Sequence, residues 1–270
     1  MANIESSFLD VSYLDTLSYQ TTIIHQLDPR IKLITTLFFI ATVLSFGKYE
    51  IAGLIPFVIY PVVLIALGNL PIAYLLKKVL MAAPFAFFVG IFNPLMDRAV
   101  LVQLGPLEFS GGWVSFASIM IRFILTVTAA LILIASTGFN SVCMALEKMG
   151  APRSLAVQLL LLYRYLFVLG DEASRLTRAR SLRTFESRGL GFKVFTNMIG
   201  QLLLRTLDRA KRVHLAMRCR GFDGEIRVSH PLKIGGRDLG FLLGWSGLFV
   251  LMRLYPLPQW MGSMVAELLK

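Results

Sequence analysis

The residues with the most chemistry to offer in this chain are arginines, and they occur in a phrase that is used twice. Residues 171–185 and 208–222 match at an offset of 37, with Asp171 over Asp208, Ala173 over Ala210, Arg175 over Arg212, Ala179 over Ala216, Arg183 over Arg220 and Phe185 over Phe222. Ala179 and Arg183 are four apart, as are Ala216 and Arg220. On a helix each pair therefore shares a face, with a small residue allowing close approach beside a cationic anchor. A guanidinium fork makes bidentate contacts with carboxylates or backbone carbonyls while its stem packs on apolar surface. The chemistry is docking, and a surface made twice predicts a partner present twice. Attraction of a basic helix to anionic headgroups needs charge but no fixed spacing, so the repetition of Ala, Arg and Phe favours docking over simple lipid attraction.

Other chemistries lack their residues. The sequence contains no GxxxxGK[ST] phosphate loop, no HExxH and no GxSxG, so hydrolysis of ATP by this chain alone is not expected. His25, His214 and His230 are far apart, and Cys143 and Cys219 form no CxxC pair; neither a metal cluster nor a disulfide scaffold is supported. Nucleic-acid binding is a further reading of a basic segment, but this one lies between membrane spans and lacks a stacking platform.

The elements that must position the arginines follow from hydropathy. Of 270 residues 56% are hydrophobic, and the mean hydropathy is +0.69, above the apolar share of ordinary soluble domains. Apolar runs at 33–46, 51–67, 79–95, 116–137 and 239–255 are near the ~17–25 residues that cross a bilayer. The expected fold is an all-α integral membrane protein with about five transmembrane helices, five or six, plus long cytoplasmic helices. A sixth run at 154–170 holds Arg164 and leads directly into basic sequence; it reads as a partly buried or interfacial helix. Pro56, Pro61, Pro84 and Pro94 predict kinks that a bundle tolerates, and Arg122 is the one clear charge in a long apolar span, facing the bundle or snorkelling. No cleaved signal peptide is expected from the mixed, acidic start.

The net charge is +11, and between Phe139 and Gly235 there are 17 Lys and Arg against 7 Asp and Glu. The positive-inside rule places this segment in the cytoplasm and, working back through the spans, the amino terminus as well. Four regions result: an amino-terminal arm (1–30), a four-helix transmembrane unit (31–138), a cytoplasmic helical domain (139–235), and a last transmembrane helix with its tail (236–270). Asp28 and Pro29 supply an N-cap and a first-turn proline for the first span. The cytoplasmic domain opens with a helix that begins near Asn140 and stops around Gly150 to Pro152. A second runs from Ser154 through the first repeat and ends by 189–191. A third spans roughly 192–219 and stops at Gly221.

At these residues the sequence resembles a known family. Residues 216–224, Ala-Met-Arg-Cys-Arg-Gly-Phe-Asp-Gly, preceded by Asp208 to His214, are similar to the second signature of the transmembrane coupling subunit of energy-coupling-factor transporters, the EcfT/CbiQ family. Leu27, Asp28, Pro29 and Arg30 resemble its amino-terminal motif, and the Gly-Phe-Asp-Gly continuation is closest to the CbiQ branch serving cobalt and nickel importers. The resemblance implies a scaffold in a bacterial inner membrane, spanning it several times. Its partners would be two copies of a cytoplasmic ABC-type ATPase and a separate substrate-binding membrane subunit of CbiM type, with or without a small accessory membrane subunit.

Two coupling helices, each ending in an Ala-Arg-Gly-like tripeptide, would insert into the ATPases. This chain would hold no cofactor, ATP and Mg being bound by the ATPases, and would not itself be an enzyme. The repeat alignment puts the tripeptides at Leu182, Arg183, Thr184 and at Cys219, Arg220, Gly221. Both keep Arg and replace Ala, and the first lacks Gly. A second register, Ala179, Arg180, Ser181, stays open. Cobalt is the expected cargo, with nickel or a vitamin as the alternative. An intramembrane enzyme acting on a lipid or prenyl substrate is the competing class; it would need acids beside the arginines, and Asp171 with Glu172 supply such a pair only in the first repeat, Arg209 standing where the second acid should be. A self-sufficient channel would need polar residues along the spans, which are missing.

Overall fold

Asp28 starts the first long helix in the way its position suggests. Its Oδ1 accepts the Arg30 N–H at 2.9 Å and Pro29 occupies the first turn of α1 (Pro29–Leu44), so one orphan donor is satisfied and the missing proline donor costs nothing. The computed structural model describes residues 13–96, 100–104, 107–183, 192–224 and 234–255.

After α1 a 3-10 helix (Ala52–Val58) runs directly into α2 (Ile59–Gly68). Pro56 lies in the tighter segment, where its absent N–H removes a bond the α-ladder would otherwise need. Asn69 ends α2 in the left-handed conformation with φ of 48°, and the Leu70 N–H turns back to the Ile65 carbonyl. Next come α3 (Ile72–Met96), strands β1 (Val100–Leu104) and β2 (Leu107–Ser110), and α4 (Gly111–Thr137). The strands pair antiparallel with Leu104 opposite Leu107, a small two-stranded element that the all-α expectation did not include. The remaining helices are α5 (Phe139–Lys148), α6 (Arg153–Ser181), α7 (Phe192–Cys219) and α8 (Gly236–Leu254). Apart from these two strands, the fold is that of an all-α membrane protein.

Among the described residues three helices have the length and composition to cross a bilayer: Ile72–Pro94, Gly111–Thr137 and Arg153–Ser181, with Ala52–Gly68 a shorter apolar helix. The first expected span falls in α1, whose 16 residues reach about 24 Å. The last falls in the 19-residue α8, which carries Arg237, Asp238 and Arg253 near its ends. The 29-residue α6 has the length and composition of a span, whereas the sequence favoured an interfacial helix. The difference arises because Arg164 is the lone charge between Ser154 and Gly170.

Contacts divide the chain into two units, one of Leu17–Gly138 with Leu232–Lys270 and one of Met1–Thr16 with Phe139–Pro231. In the first, α1 and α8 run parallel. Near their starts the Asp28 N–H donates to Asp238 Oδ1 at 2.9 Å; near their ends Arg253 donates to the Ser45 carbonyl at 3.1 Å and reaches Glu50 at 3.4 Å. Between these ends lies an aromatic core. Phe39 and Tyr60 have ring centroids 4.6 Å apart, Tyr60 and Trp245 meet edge to face at 4.9 Å, and Phe249 lies 5.2 Å from Tyr60. The Tyr60 hydroxyl is paired with Thr36 Oγ1 at 3.1 Å, which lets a polar atom sit inside the bundle. Arg122 turns to the Gly47 carbonyl.

Candidate functional site: two helix ends

In the unit of residues 139–231, α6 and α7 pack side by side, joined by an ion pair between Glu172 and Arg205 at 2.6 Å. The Arg205 side chain is 57% exposed, so solvent screens the pair; Arg205→Ala is expected to change thermal stability by less than about 1 kcal/mol and to leave membrane insertion unchanged. Glu172, one half of the acid pair a lipid enzyme would need, is thereby held by an arginine. An apolar groove of about 510 Å³ runs between the helices, lined by Leu162, Val168, Leu169, Val213, Met217 and Phe222 among others.

The second repeat finishes α7 with a cap whose hydrogen bonds are all visible. The Phe222 N–H donates to the Met217 carbonyl at 3.0 Å and the Gly221 N–H to the Arg218 carbonyl at 3.0 Å, with Gly221 at φ of 78°. This is the paired-bond pattern of a Schellman cap. Its usual apolar partners, here Met217 and Phe222, both line the groove. Ala216, Cys219, Arg220 and Gly221 are exposed on the closing turn. A left-handed residue with a Cβ costs about 1–2 kcal/mol. Gly221→Val is therefore expected to speed exchange of the Phe222 amide roughly 5- to 30-fold, as read by hydrogen exchange; an unchanged rate would show that the cap does not depend on glycine.

The first repeat ends differently. The α6 helix stops at Ser181, with the Leu182 N–H donating to the Arg178 carbonyl at 3.1 Å and the Arg183 N–H to the Arg180 carbonyl at 2.9 Å. This is earlier than the stop expected by 189–191. Ser181 Oγ also donates to the Arg178 carbonyl, at 2.8 Å, as Thr177 and Thr206 do to carbonyls three residues back in mid-helix. Ala179, Ser181, Leu182 and Arg183 are exposed, Leu182 at 78%, while Arg180 is half-buried. Thr184 and Phe185 lie outside the described residues. Each repeat thus brings its alanine and arginine to the exposed terminus of a helix of 28 or 29 residues. The sequence missed the groove, because its lining comes from apolar positions on two helices that no motif marks.

Both cysteines are free. Cys143 is buried, and burial pushes its thiol above the ordinary range, the setting of an unreactive structural cysteine. In the other unit His25 bonds Thr22 Oγ1 at 2.7 Å; desolvation first, and the nearby Lys32 ammonium second, push its imidazole below the ordinary value.

The sequence profile of the family CbiQ, described as cobalt transport protein, matches residues 20–230. The energy-coupling factor transporter transmembrane protein EcfT of Heliobacterium modesticaldum is 29% identical over 253 residues, covering 86% of this chain and 92% of that protein. EcfT of Bacillus subtilis is 23% identical over 224 residues, covering 76% and 82%. The cobalt transport protein CbiQ of Rhodobacter capsulatus is 29% identical over 146 residues, covering 50% and 60%.

Proposed function

Because this chain belongs to the CbiQ family of cobalt transport proteins, we propose that it is the coupling component of an ATP-driven importer of the energy-coupling-factor type, with cobalt ion as cargo. The observation that carries the reading is the pair of exposed helix ends, each presenting an alanine and an arginine four residues apart. Two like surfaces suit two copies of one cytoplasmic ABC-type ATPase. ATP binding draws the ATPases together, the helix ends held in them move, and α6 and α7 pass that movement to a separate substrate-binding membrane subunit of CbiM type. In this reading Arg220 and Arg183 are the anchors, with Ala216, Cys219, Gly221 and Leu182, Thr184 beside them; Ala179, Arg180 and Ser181 form the other register of the first motif.

Orientation follows from charge. The basic segment faces the cytoplasm by the positive-inside rule, and the parallel pairing of α1 with α8 supports an amino terminus on that same side, since both helices then leave the cytoplasm in the same direction. The family description favours cobalt; nickel or a vitamin is the competing cargo.

The test is purification from detergent-solubilised membranes, with identification of co-eluting subunits, MgATP hydrolysis, and uptake of radioactive Co²⁺ against Ni²⁺. Recovery of an ABC-type ATPase with Co²⁺ uptake is the expected result. A chain that elutes alone with no ATPase in any condition overturns the coupling role, and an active complex that carries only Ni²⁺ overturns the cargo.

A further inference from the structure

The long insertion is attached to the membrane unit by two crossings of the chain, one after Gly138 and one before α8, and a single turn of α1 holds the membrane side of both. At the first crossing Lys32 Nζ donates to the Ser136 carbonyl at 2.9 Å. Two residues later Gly138, at φ of 74°, separates α4 from α5; this left-handed break is a natural pivot. At the second crossing the Asp238 carboxylate accepts the Gly235 N–H at 2.7 Å through Oδ2 and the Asp28 N–H at 2.9 Å through Oδ1. Asp28 and Lys32 are four residues apart on the opening turn of α1, so one rigid turn grips segments 104 and 210 residues away.

These groups are out of water. Asp28, Lys32 and Asp238 are 5%, 4% and 7% exposed, the Lys32 ammonium lies in the field of both carboxylates, and Arg30 Nε is 3.9 Å from Asp28 Oδ1. Buried ion clusters are seldom the most stabilising solution, since apolar side chains of similar volume often do as well. What this cluster adds is direction: each bond ends on a backbone atom of a crossing or on the cap that starts α8.

We infer that Asp28, Lys32 and Asp238 form a clamp that fixes the membrane ends of both crossings, so that movement of the insertion is delivered to α4 and α8 together rather than lost at the Gly138 pivot. They are positioning residues for coupling, and the inference rests on the transporter reading above. Asp28 takes part through its main-chain N–H, while its carboxylate stays on the cap of α1.

The experiment uses the complete complex with three disrupting variants, Lys32→Met, Asp238→Asn and the two combined, the last of which removes one charge of each sign and guards against loss of the singles through charge imbalance, and one conservative variant, Lys32→Arg. In hydrogen exchange, Asp238→Asn and the double variant are expected to expose the Asp28 and Gly235 amides at least about tenfold more, with amides of α3 unchanged. In function, all three recover the ATPase and hydrolyse MgATP within about twofold of the unaltered complex, while Co²⁺ uptake per ATP falls by about tenfold. Lys32→Arg, which keeps a donor and a charge, restores uptake. Unaltered exchange overturns the clamp. Faster exchange with uptake per ATP unchanged overturns its coupling role, as does restored coupling in the double variant, which reduces the cluster to charge balance. An unaltered complex without ATPase activity defeats the transporter reading, and the coupling role with it, while exchange still decides whether the clamp exists.

Discussion

Arg183→Glu combined with Arg220→Glu is expected to abolish recovery of the ABC-type ATPase with this chain while its amount in the membrane stays the same. Both residues are exposed at the ends of long helices, so reversing their charge removes no buried contact within the chain. In the proposed docked complex each guanidinium would be desolvated against acceptors. Truncating one member of such a pair costs about 2–5 kcal/mol, and placing a carboxylate there costs more. At 1.4 kcal/mol per factor of ten, the double change lowers affinity by more than about a thousandfold, and MgATP-driven Co²⁺ uptake falls to background.

The single changes are informative in order. Arg220→Glu should be at least as damaging as Arg183→Glu, because the Gly221 cap holds the end of α7 in one conformation. Arg180→Glu decides the first motif: a loss equal to that of Arg183→Glu places the anchor within Ala179 to Ser181. Unchanged ATPase recovery and uptake in the double variant sinks the docking claim.

How much of this was legible beforehand differs from place to place for physical reasons. The end of α7 was readable because glycine after a basic last turn is a local signal, and the helix indeed spans Phe192–Cys219. The end of α6 was not, because residues 182–188 hold no glycine or proline to mark it. Asp28 as an N-cap was legible from its neighbour Pro29, while its bond to Asp238 was not. Those residues are 210 apart, and nothing in a single sequence pairs them. Asn140 marked the start of α5 to within a residue, but the break itself is made by Gly138. Composition announced a membrane protein, yet it could not rank α6 against α1 as a span: apolar length is shared by helices that cross lipid and helices that pack on partners.

Phe249→Ala is expected to cause the largest loss of stability in the membrane unit. Phe249 is 1% exposed, and its ring lies 5.3 Å from Phe39, 6.1 Å from Phe57, 5.2 Å from Tyr60 and 5.7 Å from Trp245, centroid to centroid. It therefore joins α1, the 3-10 helix, α2 and α8. In a bilayer the gain from leaving water is small, because lipid tails are as apolar as a phenyl ring; what the ring supplies is contact and shape. Removing it leaves a cavity among four rings already packed at van der Waals distance. The cavity term alone, at about 24 cal/mol per Å³ over a ring of about 100 Å³, gives a loss of about 2–3 kcal/mol, or roughly 4–12 °C in the melting temperature of the detergent-solubilised chain.

Phe38 provides the control. It is 38% exposed and sits 6.3 Å from Phe249 at the edge of the cluster, so Phe38→Ala should cost much less. Equal shifts for the two variants would show that the cluster is not the core. Below its melting temperature Phe249→Ala should still recover the ATPase, because the arginines proposed to dock it belong to the other unit. Loss of recovery there would mean that docking needs the folded membrane unit as well as the two helix ends.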